Sequence, residues 1–163
     1  MNAATMAALM LCALASACSR APQATPVPAS TPQAPAVNAQ QASATVGRIH
    51  LGANLLPVAS LPDNAIASYG ITRADDAQLL LVTARDGNGD AIAVDGLQLQ
   101  ASAGSLHESP QPLALRQIQT AGMSDWIGVI PVRPPTTLRV QVQAQKGDAT
   151  TQMTFSRDFH PAR

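Results

Sequence analysis

Aromatic residues are almost missing from this chain of 163 residues, which has two Phe, one Trp and one Tyr. Its core must therefore be aliphatic, and Tyr69 and Trp126 are among the largest pieces available to it. Exposed, the same two rings would stack on a sugar or peptide ligand; burial is the simpler account. Charge of either sign is scarce too. Ten basic and ten acidic residues cancel. That excludes the electrostatic footprint of a nucleic-acid binder and argues against a polybasic membrane-surface patch. Lys146 is the single lysine and Glu108 the single glutamate, a bias that a GC-rich coding sequence explains.

Cysteine is nearly absent, and its placement matters more than its number. Cys12 and Cys18 are the only two, so the body of the chain contains no pair from which to build a disulfide. A long hydrophobic run is also missing. Met6 to Ala17 is apolar but for Ser16, and twelve residues of helix reach only about 18 Å against a hydrocarbon core of about 30 Å. Such a run suits a secretory signal over residues 1–17, with small Ala15 and Ala17 before the cut. Leu14-Ala15-Ser16-Ala17-Cys18 resembles a bacterial lipoprotein signal, which implies lipidation of Cys18 at the mature N-terminus. The likeness departs at Ala15, where leucine is usual, and no Lys or Arg precedes the apolar run. The same bond would serve an ordinary signal peptidase, giving a freely secreted form. Ser19 after the cysteine implies, by the same resemblance, the periplasmic side of a Gram-negative outer membrane. Acyl chains at about 0.8 kcal/mol per buried CH₂ would make that anchoring stable.

Residues 18–45 then hold the expected lipidated cysteine and a tether of Pro, Ala, Gln, Thr and Ser with little to bury. Pro22, Pro26, Pro28, Pro32 and Pro35 deny regular structure its donors, and the composition predicts a disordered or polyproline-like spacer.

What is present from residue 46 to 163 is short alternating apolar runs separated by turn residues, the pattern of an all-β domain. Strands are expected over Arg48–Leu56, Ala77–Ala84, Ala91–Ala103, Leu113–Thr120, Asp125–Arg133, Leu138–Gln145 and Ala149–Phe159. A short helix is expected near 62–69, with Asp63 at its start and Gly70 as a left-handed stop. Leu79-Leu80-Leu81-Val82 is apolar on both faces, which predicts a strand covered on both sides, one of them by that helix. About seven strands in this length fit an immunoglobulin-like antiparallel β-sandwich without the Cys-Trp-Cys core.

Ala67-Ser68-Tyr69-Gly70-Ile71, Arg73, the Leu79-to-Arg85 strand with its Asp-Gly-Asn-Gly turn, and the closing Phe155-Ser156-Arg157-Asp158-Phe159-His160-Pro161 are similar to an uncharacterised proteobacterial envelope family, domain of unknown function 4426. The resemblance spans about residues 48–161 and implies a periplasmic β-sandwich. It supplies no activity and no site residue, and Leu51-Gly52 stands where an aromatic is expected.

Candidate chemistry is sparse. Asp86, Asn88 and Asp90 have the one-three-five spacing with which calcium loops present hard oxygens. An EF-hand would then need glycine at Ala91 and a bidentate glutamate at Leu97, so a polar hairpin turn is the simpler reading. His50, His107 and His160 are scattered, with no pair at ligand spacing, and no cofactor is expected. His107-Glu108 reads as solvated, and Asp75-Asp76 as turn formers. No G-x-S-x-G elbow or phosphate-cradling glycine loop occurs. The outward glutamines around Gln98 and Gln141 can hydrogen-bond a glycan, though solvation accounts for them more simply.

The sequence thus predicts a non-enzymatic cell-envelope lipoprotein that binds an unidentified envelope protein or assists assembly. The alternative is a soluble periplasmic module that takes a small ligand or metal through its loops.

Overall fold

The structure, a computed structural model, describes residues 41–160. The expected signal peptide, Cys18, the tether up to residue 40 and Pro161 lie outside the described residues. Among the described residues nine strands form two antiparallel sheets. One holds β1 (Gln41–Val46), β2 (Ile49–Pro57), β3 (Ala77–Arg85), β7 (Met123–Pro131) and β6 (Arg116–Thr120), in the order β1-β2-β3-β7-β6. The other holds β5 (Gln111–Leu113), β4 (Leu97–Ser105), β8 (Thr136–Lys146) and β9 (Ala149–Phe159), in the order β5-β4-β8-β9. This is the all-β sandwich expected, with nine strands rather than about seven.

The two sheets bury one aliphatic core. Leu51, Leu80 and Val82 from the first sheet meet Val140, Val142 and Phe155 from the second, each no more than 2% exposed. Burying each such side chain contributes about 1.5–3 kcal/mol. Leu138, Val140, Val142 and Ala144 all face inward along β8, as the period-2 alternation requires. Met153 and Phe155 do the same on β9.

A second, smaller cluster lies on the other side of the first sheet. Leu79, Ile118 and Ile127 are covered there by Val58, Leu61, Ile66 and Tyr69 from a 3₁₀ turn (Val58–Ser60) and helix α1 (Asp63–Tyr69). The two-sided apolar strand is therefore roofed by the helix, as its sequence requires. Gly70 ends α1 in the left-handed region at φ 56°, where a Cβ would be strained. No helix among the described residues is long and apolar enough to cross a membrane.

Three boundaries differ from expectation. The sandwich begins at Gln41, so residues 41–45, assigned above to the tether, belong to β1. Ala42 and Ala44 are small enough to look like spacer residues, yet they pack on the core beside Val46. The Asp86–Asp90 turn does not join two paired strands. A single bridge between Arg85 and Ala91 closes it, and the chain then crosses to the other sheet before β4 starts at Leu97. The strand expected over Leu113–Thr120 is two strands in different sheets. Between them the chain changes sides, and Leu113 fills the space beside Gly128, whose missing side chain leaves room for it.

Candidate functional site

Where the chain changes sides, the sandwich is open at one end. Ala103, Leu113, Ile130, Val132 and Leu138 wall a cleft of about 560 Å³ between the sheets. Pro112, Pro131 and Pro135 line it as well, and prolines offer no N–H to a neighbouring strand. Two charged residues, Glu108 and Arg133, also line this cleft. Glu108 is held by Ser105, whose hydroxyl donates to Oε2 at 3.0 Å; Arg133 makes no ion pair among the described residues. Apolar walls with a few polar groups at the mouth are the usual make-up of a ligand pocket.

A polar orphan lies in the same part of the interior. Gln78 is 6% exposed and its Oε1 has no hydrogen-bond partner among the described residues. It pairs across the sheet with Ile130, a wall of the cleft, and by alternation faces inward like Leu80. Leaving such a group unpaired costs about 1–3 kcal/mol, so a donor brought by a ligand or water would be welcomed there. Asp125 Oδ1 also lacks a well-aligned hydrogen bond, but Arg85 Nη2 lies 2.8 Å from it. That pair, on neighbouring strands β3 and β7, is mostly shielded from water, with side-chain exposures of 19% and 8%.

The sequence-predicted site residues fare differently. Asp86 Oδ1 accepts hydrogen bonds from the backbone N–H groups of Asn88 (2.8 Å) and Asp90 (3.0 Å). The amides of Asp90 and then Asn88 hold the Asp86 carboxyl below its ordinary value of 3.8, with a small pull from His50. Oδ1 thus serves the turn, and no group of three or more His, Cys, Asp or Glu among the described residues is arranged to hold a metal. Trp126 is 8% exposed within the main core, and Tyr69 is half-buried under the roof of the first sheet. Trp126 therefore offers a ligand little surface, while Tyr69 keeps part of its side chain exposed. Both rings serve as large pieces in an aromatic-poor interior.

The Arg73 noted in the sequence is a fastening. Its guanidinium donates to the carbonyls of Ala59 (2.6 Å) and Leu61 (2.8 Å) and pairs with Asp63 at 2.6 Å. Arg116 of β6 donates to the Tyr69 carbonyl at the far end of α1. Two arginines therefore hold the roof from outside it, which gives the Tyr69-Gly70 and Arg73 motif a structural meaning.

Two features were not visible in the sequence. His107 and His160, far apart along the chain, line one shallow hollow with Asp158. Asp158 accepts from the Thr137 hydroxyl there at 2.6 Å. The outward face of the second sheet also has an order that only the register reveals. Gln98, Gln145 and Thr150 stand side by side across β4, β8 and β9. Gln100, Gln143 and Gln152 form the next row, and Ser102, Gln141 and Thr154 the one after.

Comparison with known proteins accords with this architecture. The model of the family described as a domain of unknown function (DUF4426) matches residues 43–162. The crystal structure of a DUF4426 family protein from Pseudomonas aeruginosa PAO1 is similar, with a TM-score of 0.61 at 17% identity, covering 76% of this chain and 98% of that one. A copper-bound variant of FetP from uropathogenic Escherichia coli strain F11 gives a TM-score of 0.50 at 10% identity, covering 72% of this chain and 93% of its own. FetP of the same strain, expressed in the periplasm of Escherichia coli, gives 0.50 at 8% identity, with coverage of 74% and 94%. Such identities speak for a shared fold alone. No curated protein matches the chain.

Proposed function

This chain belongs to the DUF4426 family, and from that premise we propose that it is an exported, non-enzymatic binding module of the cell envelope. In this reading Cys18 carries the lipid anchor, and the cleft between the sheets receives an apolar segment of a partner protein. The observation that carries it is the cleft itself, with walls from both sheets, charged Glu108 and Arg133 among its lining, and an unpaired Gln78 oxygen close by. Extended apolar segments fit such clefts by burying alternate side chains while their ends stay wet.

The test places a photo-crosslinking amino acid at Thr136, in the cleft lining, in the full chain, and irradiates intact envelopes. A discrete protein adduct that disappears when Leu138→Glu puts a charge in the wall supports the reading. Absence of any adduct, or an adduct indifferent to Leu138→Glu in a folded variant, sinks it. Labelled palmitate tests the anchor separately. Incorporation lost in Cys18→Ala supports it, and incorporation surviving that change overturns it. No incorporation into the wild type favours the second reading, a soluble periplasmic module taking a small ligand or metal. The copper-bound variant of FetP is the observation on that side.

A further inference from the structure

The three rows on the outer face of the second sheet form a grid of nine side chains that are all neutral and all hydrogen-bonding. Six are glutamines: Gln98, Gln100, Gln141, Gln143, Gln145 and Gln152. Strand spacing makes the grid roughly 10 Å across and 14 Å along. A hollow of about 390 Å³ lies over its first two rows. Charge begins only beyond the grid. Arg139 stands in the following row, and the Lys146 ammonium turns aside to the Ala93 carbonyl at 3.2 Å.

The amides are largely unspent. Gln145 donates to the Gly147 carbonyl and Gln152 to the Thr154 hydroxyl. Those of Gln98, Gln100, Gln141 and Gln143 have no protein partner among the described residues. Each amide offers both donors and an acceptor, which matches a hydroxyl or acetamido group, itself donor and acceptor. The grid has no cation to favour a polyanion. It has no aromatic or aliphatic anchor of the kind that concentrates binding energy at protein interfaces. Ordinary solvated sheet faces interleave charges of both signs, which also guard against sheet-to-sheet association; this one omits them over nine adjacent positions.

We propose that this glutamine grid is a contact surface for a neutral polysaccharide bearing hydroxyl and acetamido groups. Each contact is weak, and the grid works by presenting several at fixed spacing to a repeating polymer. The surface is separate from the cleft, so either can fail without the other.

The test uses the full chain and two insoluble probes, chitin and cellulose, in a sedimentation assay. Retention on chitin, reduced at least tenfold by the combined Gln100→Glu, Gln143→Glu and Gln152→Glu changes, is expected. Milder Gln100→Ala/Gln143→Ala should weaken retention at least threefold. Gln119→Glu on the other sheet should leave it within twofold. Retention on chitin alone assigns a role to the acetamido group, and retention on both assigns the contact to hydroxyls. No retention on either probe overturns the proposal, as does retention unaffected by folded grid variants. So does a wild-type dimer, seen by light scattering, that the charged variant dissociates. That outcome assigns the face to a second copy of the chain.

Discussion

Replacing Gly128 by alanine tests the way the chain changes sheets. A Cβ at this position would stand 2.9 Å from Leu113 Cδ2, 3.0 Å from its Cγ and 3.1 Å from the Ala114 carbonyl oxygen. The side chain can turn away, but the carbonyl belongs to the backbone that carries the crossing. Overpacking of this kind costs about 1–3 kcal/mol. At about 2 kcal/mol, a domain of this size should lose roughly 8 °C in Tm. Leu113→Ala alone leaves a gap, at a cost near the lower end of the range of about 2–5 kcal/mol, because Leu113 is only partly buried; in the Gly128→Ala background it also removes the side-chain part of the clash. The two changes share one volume. The double variant should therefore be less destabilised than the sum of the singles by about 1 kcal/mol or more. Urea unfolding followed by circular dichroism gives all four values. A Gly128→Ala protein as stable as the wild type would refute the reasoning, and so would strict additivity, since either means that Leu113 does not occupy the space glycine leaves.

The Arg85–Asp125 pair gives a second cycle. Asp125→Leu alone strands a poorly solvated guanidinium and should cost about 3 kcal/mol in urea unfolding, whereas adding Arg85→Met should restore most of it; a double costing the sum of the two singles would show the residues to be uncoupled and refute this reading. Asp86 makes a prediction about pH. Its folded value is depressed, so the order it gives the turn is complete above 3.8 and is lost as pH falls through the lower folded value. In an NMR titration the Asn88 and Asp90 amide signals should move with a midpoint below 3.8, and a midpoint at or above that value contradicts the hydrogen bonds described. Millimolar calcium should leave the same two signals in place, because among the described residues no group of three or more His, Cys, Asp or Glu side chains is gathered to hold a metal.

Much of the sandwich was legible because β8 alternates cleanly from Leu138 to Gln145 and Met153 and Phe155 share one face of β9. The roofed strand was legible too, since four consecutive apolar residues need cover on both faces and a capped helix lies just upstream. β1 was not. Its inward residues are Ala42 and Ala44, which also populate the proline-rich stretch before it, and only pairing with β2 distinguishes them. The split of the 111–120 segment was hidden for a different reason: Gln111–Leu113 and Arg116–Thr120 both look like strand, and sequence carries no mark of which sheet each joins. The cleft follows from that split. Its walls come from residues 103 to 138, brought together only by topology. The glutamines were visible singly, while the grid required the register of three strands.

β1 also decides how the domain meets a mechanical load. It is the first strand of the sandwich, paired on one side with β2 and lying against β9 at the seam between the sheets. Any pull on the segment before it enters the molecule through Gln41, at the open end of a hairpin closed by Gly47. Hydrogen bonds in a hairpin loaded at its open end break one pair after another, at low force, instead of shearing together. Losing six residues this way would uncover Ile49, Leu51 and the flank of β9 while leaving the other eight strands paired as they are. The domain would lengthen by one strand, giving up the place of Val46 in the core, before its other strands separate.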